Sequence, residues 1–352
     1  MVSQRKFGNR PSQTVSRRNL VCYAAGGAAV SAFLLSGRGL PALAQEGTPA
    51  AQLGGCIPEG WTPASPDEQI LIAFSQGTMN HPWRVAMVEG NQQYAAENFP
   101  NVELVVTDGQ NQASKQVSDV ESLLVRQPKV LMISPLTAEA LTPVVERALA
   151  EGIPVVTLDR MVDTCVSVHV GAENLPIGRQ AAEFLAERLN GEGQIIEIQG
   201  TAGASATVDR HNGFAEVLQN YPDLKVVAEQ TADYLREPAT SFMEDMLQRF
   251  GPGEIDAVYA HNDEMALGAV EAIKDAGRLE EILVVGIDGQ ETAFESVKAG
   301  EMAATFTYHY VAPEGVITAY QLATGEEVEP VITLESQQVD SSNVDEFLGT
   351  GF

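Results

Sequence analysis

Four side chains able to ligate metal, move protons or hydrogen-bond a ligand stand together in His261-Asn262-Asp263-Glu264, closing the apolar run 255–260. A second run, "IPVVTLDR" (153–160), ends in Asp159 and Arg160. An acceptor-only carboxylate beside a planar five-donor guanidinium suits vicinal hydroxyls, which both donate and accept. A helix cap with a surface ion pair would use the same two residues. In "MNHPWR" (79–84), Pro82 fits the first turn of a helix. Trp83 there offers an indole face to the C–H side of a sugar ring, and Arg84 donates to oxygens. Packing of Trp83 on a neighbouring helix is the plainer alternative. "ATVDRHNGF" (206–214) sets Arg210 in a helix start after the Gly-rich turn 200–204.

That turn lacks the Lys-Ser/Thr ending of a phosphate-binding loop, and "NGEGQ" (190–194) precedes a strand where a dinucleotide fingerprint would follow one. No Gly-x-Ser-x-Gly elbow or His-Glu-x-x-His helix occurs. His81, His169, His211, His261 and His309 show no metal-ligand spacing. No cofactor, metal or catalytic constellation is therefore expected from sequence.

Short β-branched runs that alternate with helical patterns must position these residues. The runs are 69–75, 102–108, 129–135, 153–160, 194–200, 224–230, 255–261 and 282–289. Strand–helix repetition predicts an α/β fold of mostly parallel sheets flanked by helices, with strands apolar because both faces are covered. A composition break at 167–180, with a new helix near Asn174, favours two such units. The unusual polar residues cluster just past strand carboxyl ends: Ser75, Gln76, Asp108, Ser134, Asp159, Arg160, Asn262 and Asp288. Ligands of open α/β sheets bind in the crevice outside those ends, and two units facing each other would pool these residues in one cleft.

The 352 residues suffice for two cores. The first 44 carry Arg17-Arg18, an apolar and small-residue run and an Ala-x-Ala-like site at 42–44, the pattern of a cleaved twin-arginine export signal. Gly37, Arg38, Gly39 and Pro41 cut that run short of the roughly 20 residues of a membrane span. Six of the 21 basic residues and none of the 48 acidic ones lie there, so removal leaves 15 against 48, net −33. Such a field repels nucleic acid and anionic lipid. Cleavage takes Cys22 and leaves Cys56 and Cys165, a pair that an oxidising compartment permits to form a disulfide. A lipid-attachment box at "LGGC" (53–56) ranks below it, being too far from the apolar run. Residues 45–66, rich in Gly, Pro, Ala and Thr, read as a flexible tether.

"IPVVTLDR", "DRHNGF", "AHNDEMALGA" and "VVGIDG", in this order and spacing, resemble the periplasmic sugar-binding proteins of the ribose-binding type, the solute receptors of ABC importers. The resemblance covers about 67–345. It implies two Rossmann-like lobes joined by a three-segment hinge, 67–172 with 308–331 and 173–307 with 332–345, closing on a monosaccharide. It also implies Asp159, Arg160, Arg210, Asn262 and Asp288 as sugar contacts, Tyr234 as an aromatic wall and Trp83 as the stacking ring. This chain departs from the ribose pattern at His81-Pro82-Trp83-Arg84, at Ser134 where that pattern has Asn, and at Tyr308 where it has Gln. Its Trp-Arg pair is similar to galactofuranose-binding members, so a pentose, a furanose or a related polyol stays open.

The expected role is thus a monomeric, exported binding protein serving a membrane permease, with no nucleic-acid partner. A sensor for a chemoreceptor or kinase would bind in the same way. A regulator core would need an N-terminal helix-turn-helix in place of the export signal, and an exported glycosidase would pair Asp159 with Asp288. In the opening stretch, Asn262 is expected to touch ligand, Asp263 and Glu264 to start a helix, and His261 to point away toward the cleft rim.

Overall fold

The computed structural model describes residues 54–65 and 67–352. The expected export signal and most of the expected tether lie outside these residues. Two six-stranded sheets form. The first contains β1 (Ile70–Gln76), β2 (Val102–Asp108), β3 (Val130–Ser134), β4 (Val155–Leu158), β5 (Val168–Gly171) and β11 (Val331–Thr333), in the order β11-β5-β4-β3-β1-β2, all parallel. The second contains β6 (Glu192–Gln199), β7 (Asp223–Thr231), β8 (Ala257–Ala260), β9 (Leu283–Asp288), β10 (Ala304–Thr307) and β12 (Gln338–Asp340), in the order β12-β10-β9-β8-β6-β7. Only its edge strand β12 runs antiparallel. Central strands such as β3, β4 and β8 are buried along their whole length, which is why their sequences are continuously apolar. The edge strand β7 carries Lys225 and Glu229 and is half exposed, and charge there opposes pairing with another chain.

Helices cover both faces of each sheet. In the first lobe, α2 (Ala113–Val125) and α3 (Ala138–Ala150) pack on one face through Val120, Leu124, Leu141 and Val145. The other face takes α1 (Pro82–Asn98) and α9 (Glu314–Thr324). In the second lobe, α6 (Arg236–Arg249), α7 (Asp263–Asp275) and α8 (Glu291–Ala299) bury Phe242, Met265 and Phe294 on one face. The opposite face takes α4 (Asn174–Arg188) and α5 (Ser205–Leu218). No helix among the described residues is long and apolar enough to cross a membrane.

The chain crosses between lobes three times, after β5, after β10 and between β11 and β12. Because β11 pairs with β5 and Leu334 N–H donates to Gly171 O, the last crossing falls beyond 334, past the expected boundary at 331/332. The tether expectation also needs correction for 54–65. Gly55 and Cys56 N–H donate to Ser167 O and Val166 O at 2.9 and 3.0 Å, and Ala64 N–H donates to Ala323 O at 2.8 Å. Cys56 and Cys165 form a disulfide, with Cα atoms 5.9 Å apart, so this segment is strapped to the first lobe and the Cys56 thiol is not free for a lipid.

Candidate functional site

The carboxyl ends of both sheets face one small cavity. The first lobe contributes His81, Trp83, Arg84 and Asp159, the second Ala206, Arg210, Tyr234, Asn262 and Asp288, and the second crossing Tyr308. Pro82 at the first helical position of α1 turns Trp83 and Arg84 inward, with His81 as the N-cap. Arg84 pairs with Asp159 at 2.6 Å and donates from Nη1 to Ser134 Oγ at 2.8 Å. Its guanidinium lies 4.6 Å from the Trp83 ring centre. The Trp83 indole N–H donates to Tyr308 O at 2.9 Å, and the two rings are 5.4 Å apart. Tyr308 in turn donates its hydroxyl to Asp159 Oδ1 at 2.5 Å and accepts from Asn174 Nδ2 at 3.0 Å.

On the second lobe, α4 and α5 cross where only glycine fits. A Cβ at Gly178 would sit 2.3 Å from Arg210 O, and one at Gly213 2.1 Å from Leu175 O. That close approach sets Arg210 beside Asn174, to which its Nε donates at 2.8 Å. Its Nη1 donates to His261 O, and its guanidinium lies 4.5 Å from the Tyr308 ring centre. Asn262 caps α7 by accepting from Met265 N–H at 3.0 Å, and its amide donates to Tyr234 O at 3.3 Å. The lobes also touch directly, with Met161 N–H donating to Ser205 Oγ at 2.9 Å.

Three wall residues hold left-handed backbone, Asp159 (φ 63°), Tyr234 (φ 64°) and Asp288 (φ 139°). Non-glycine residues pay about 1–3 kcal/mol for such conformations. Each persists here because its side chain or neighbours are tied into the cleft.

The electrostatics split the two acids. Burial pushes Asp159 upward, but Arg84, Arg160 and the Tyr308 hydroxyl outweigh it and hold the carboxyl below its ordinary value. Burial drives Asp288 well above the ordinary range, because Arg210 does not fully offset it and Asp263 and Asp159 add repulsion. His81 is held well below its usual value by burial and by Arg84 and Arg160, so its ring is neutral. Burial and the neighbouring Arg84 bring Arg160 down to about 10. Among the described residues, both ring nitrogens of His81, Nε of Arg84, and Nε and Nη2 of Arg160 are buried without a hydrogen-bond partner. Buried polar groups normally have one, so those of His81 and Arg84, which line the cavity, are free to meet hydroxyls, while Arg160 stands outside its wall. The room between the walls is about 10 Å³, that of roughly one water.

Eight of the ten sequence candidates line this cavity; Ser134 and Arg160 do not. Ser134 stands behind Arg84, while Arg160 donates to Leu136 O at 2.9 Å, 3.8 Å from the Asp159 carboxylate. Gln76 turns to Met87 Sδ, Ser75 to Gln116, and Asp108 caps the next turn through Gln110 N–H. The rim position expected for His261 is wrong: it is fully buried, with Nε2 2.9 Å from Glu197 Oε1. Asp263 does open α7, but its carboxylate accepts from Gly289 and Gln290 N–H and from the Thr305 hydroxyl, steadying the loop after Asp288. Glu264 pairs with Arg236 at 2.7 Å. His81 is the polar wall residue not singled out from sequence; its signal was an N-cap position just before Pro82 and Trp83.

Residues 72–327 match the family model for the periplasmic binding protein domain. The ribose import binding protein of Bacillus subtilis is 39% identical over 239 residues, 68% of this chain and 76% of its own length. The xylitol-binding protein of Mycolicibacterium smegmatis is 36% identical over 73% of each chain. Among solved structures, an ABC transporter solute binding protein from Bacillus halodurans with bound myo-inositol superposes with a TM-score of 0.76 at 30% identity, over 81% of this chain and 99% of that one.

Proposed function

The chain belongs to the periplasmic binding protein family, and from that premise we propose that it captures a monosaccharide or a related polyol between its lobes and delivers it to an ABC importer. The observation that carries this reading is the set of buried, partnerless donors and acceptors on His81 and Arg84 facing a cavity walled by Trp83, Tyr234 and Tyr308. Such a wall offers hydrogen bonds to hydroxyls and flat apolar faces to C–H surfaces. Asp159 and Asn262 add fixed acceptors and donors. The present cavity is too small for a sugar ring, so entry requires the lobes to part about the three crossings. Arg84 and Asp159 then exchange their mutual bonds for ligand hydroxyls. Each hydroxyl missing from a ligand leaves a buried group unpaired at about 1–3 kcal/mol, which sets stereochemical selectivity.

The protein acts by binding, without turnover, as a monomer exported through the twin-arginine signal. The family placement supports export, and replacing Arg17-Arg18 by Lys-Lys with retention of the precursor inside the cell tests the route. For the site, thermal unfolding and calorimetry across ribose, xylitol, myo-inositol, allose and galactofuranose are decisive. One member should bind 1:1 and raise the melting temperature according to RT ln(1 + [L]/Kd). Failure of every sugar and polyol to bind, or hydrolysis of a glycoside by the purified chain, would sink the proposal.

A further inference from the structure

Away from the cleft, on the face of the second sheet beneath α5, lies a cluster that sugar capture does not use. Glu197 on β6, His211 on α5 and Glu229 on β7 offer one carboxylate oxygen, one imidazole nitrogen and one carboxylate oxygen, all within 4.8 Å of one another. Glu197 and Glu229 are register partners on adjacent strands, where like charges repel. Glu197 is only 1% exposed, and burying a carboxylate is costly unless it is paired. Among the described residues its partners are imidazoles alone: His211 Nδ1 at 2.9 and 3.1 Å from its two oxygens, and His261 Nε2 at 2.9 Å. His261 Nδ1 accepts from Gly200 N–H, which orients the ring so that Nε2–H donates to Glu197. Carboxylates that hold a metal are themselves hydrogen-bonded by outer partners, and His261 supplies such a bond to Glu197. Among the described residues Glu229 forms no ion pair; its contact is with the Gln199 amide at 3.4 Å. His211 and Glu229 are open to solvent, so the cluster has an entry path.

We propose that Glu197, His211 and Glu229 bind a divalent transition-metal ion, with zinc as the probe of choice. Two carboxylates and an imidazole balance the ion's charge and leave open positions for water, a donor set that suits zinc-like ions over calcium because of the nitrogen. The ion would pin α5 to β6 and β7 one residue away from Arg210.

The test is calorimetric titration of zinc into the full mature chain after metal stripping, with calcium in parallel. The expected result is one zinc per chain, weakened at least about ten-fold by His211→Ala and by Glu229→Gln, with circular dichroism unchanged in both variants. Glu229 is exposed and His211 only part-buried, so these variants test ligation without removing the buried Glu197. Absence of zinc binding overturns the site. So does zinc binding that both variants leave intact, or calcium binding of equal strength insensitive to His211→Ala, since the strongly acidic surface would then be the binder.

Discussion

The two halves of the cleft bring the same chemistry, an arginine and an aspartate each, and treat it in opposite ways. In the first lobe Arg84 and Asp159 are joined at 2.6 Å and Arg160 stands 3.8 Å from the same carboxylate, so Asp159 stays ionised. In the second, Arg210 spends its donors on Asn174 and the His261 carbonyl, and Asp288 is left in a dry setting that favours its protonated form. Residue type therefore says little about charge in a closed cleft; the competition for each guanidinium decides it. An ionised acceptor on one wall and a carboxyl able to donate on the other give a ligand hydroxyl complementary partners on its two sides.

The largest effect should come from breaking the paired half. Asp159→Ala leaves Arg84 and Arg160 buried without a counter-charge, a loss of about 3–5 kcal/mol, and should abolish stabilisation by the cognate sugar in thermal unfolding. An unaltered ligand-induced shift would show that the first lobe's acid is not part of the site. Next comes the covalent asymmetry, since the disulfide lies in the first lobe. Its two cysteines are 109 residues apart, and reducing it, or replacing both by Ser, should lower stability by about 2–4 kcal/mol in urea unfolding. Trp83→Phe keeps a ring but removes the donor to Tyr308 O, leaving a buried carbonyl unpaired; about 1–3 kcal/mol is expected, read by the same unfolding curve.

The smallest effect is expected at the other acid. Asp288→Asn replaces a carboxyl that is already mostly neutral in the fold, so stability near pH 5 should change by less than about 1 kcal/mol. Its signature is in pH dependence. A carboxyl raised in the folded state holds its proton there while the unfolded chain loses it, so stability falls as pH climbs from the ordinary carboxylate value through the raised one. Asp288→Asn should flatten that decline. Asp159, held low, works in reverse: its contribution is present above the ordinary carboxylate value and is lost as pH drops through the depressed one. Urea midpoints measured from pH 3 to 8 on both variants read the two slopes, and parallel slopes would dissolve the contrast between the lobes.

Much of the fold was legible because buried parallel strands are nearly continuous apolar runs; β2 spans 102–108 as read, and α4 begins at Asn174. The strands that escaped notice are β5, β10, β11 and β12, each three or four residues long and interrupted by polar side chains such as His169 and Thr305. Position past a strand end led to the cavity wall for Asp159, Asn262 and Asp288 and away from it for Gln76, Asp108 and Ser134. Which way a side chain turns there depends on a partner distant in sequence, as Ser134 depends on Arg84 fifty residues earlier. His261 was misjudged for the same reason: its partner, Glu197, sits on another strand and left no local trace. Residues 54–65 have the composition of a linker, and only the bonds to Val166, Ser167 and Ala323 and the bridge to Cys165 show that they are held.

The interleaving of the two lobes bears on how the chain is made. Synthesis runs from the first residue to the last, yet α9 and β11 of the first lobe and β12 of the second all come after residue 313. When the first 300 residues have left the ribosome, the first sheet still lacks an edge strand and a covering helix, and the second still lacks β10 and its antiparallel edge β12. Neither lobe can reach its final state early and wait for the other. Both finish together, once residues 314–340 have emerged, and a ribosome that stalls before residue 314 holds two incomplete halves in place of one sound lobe.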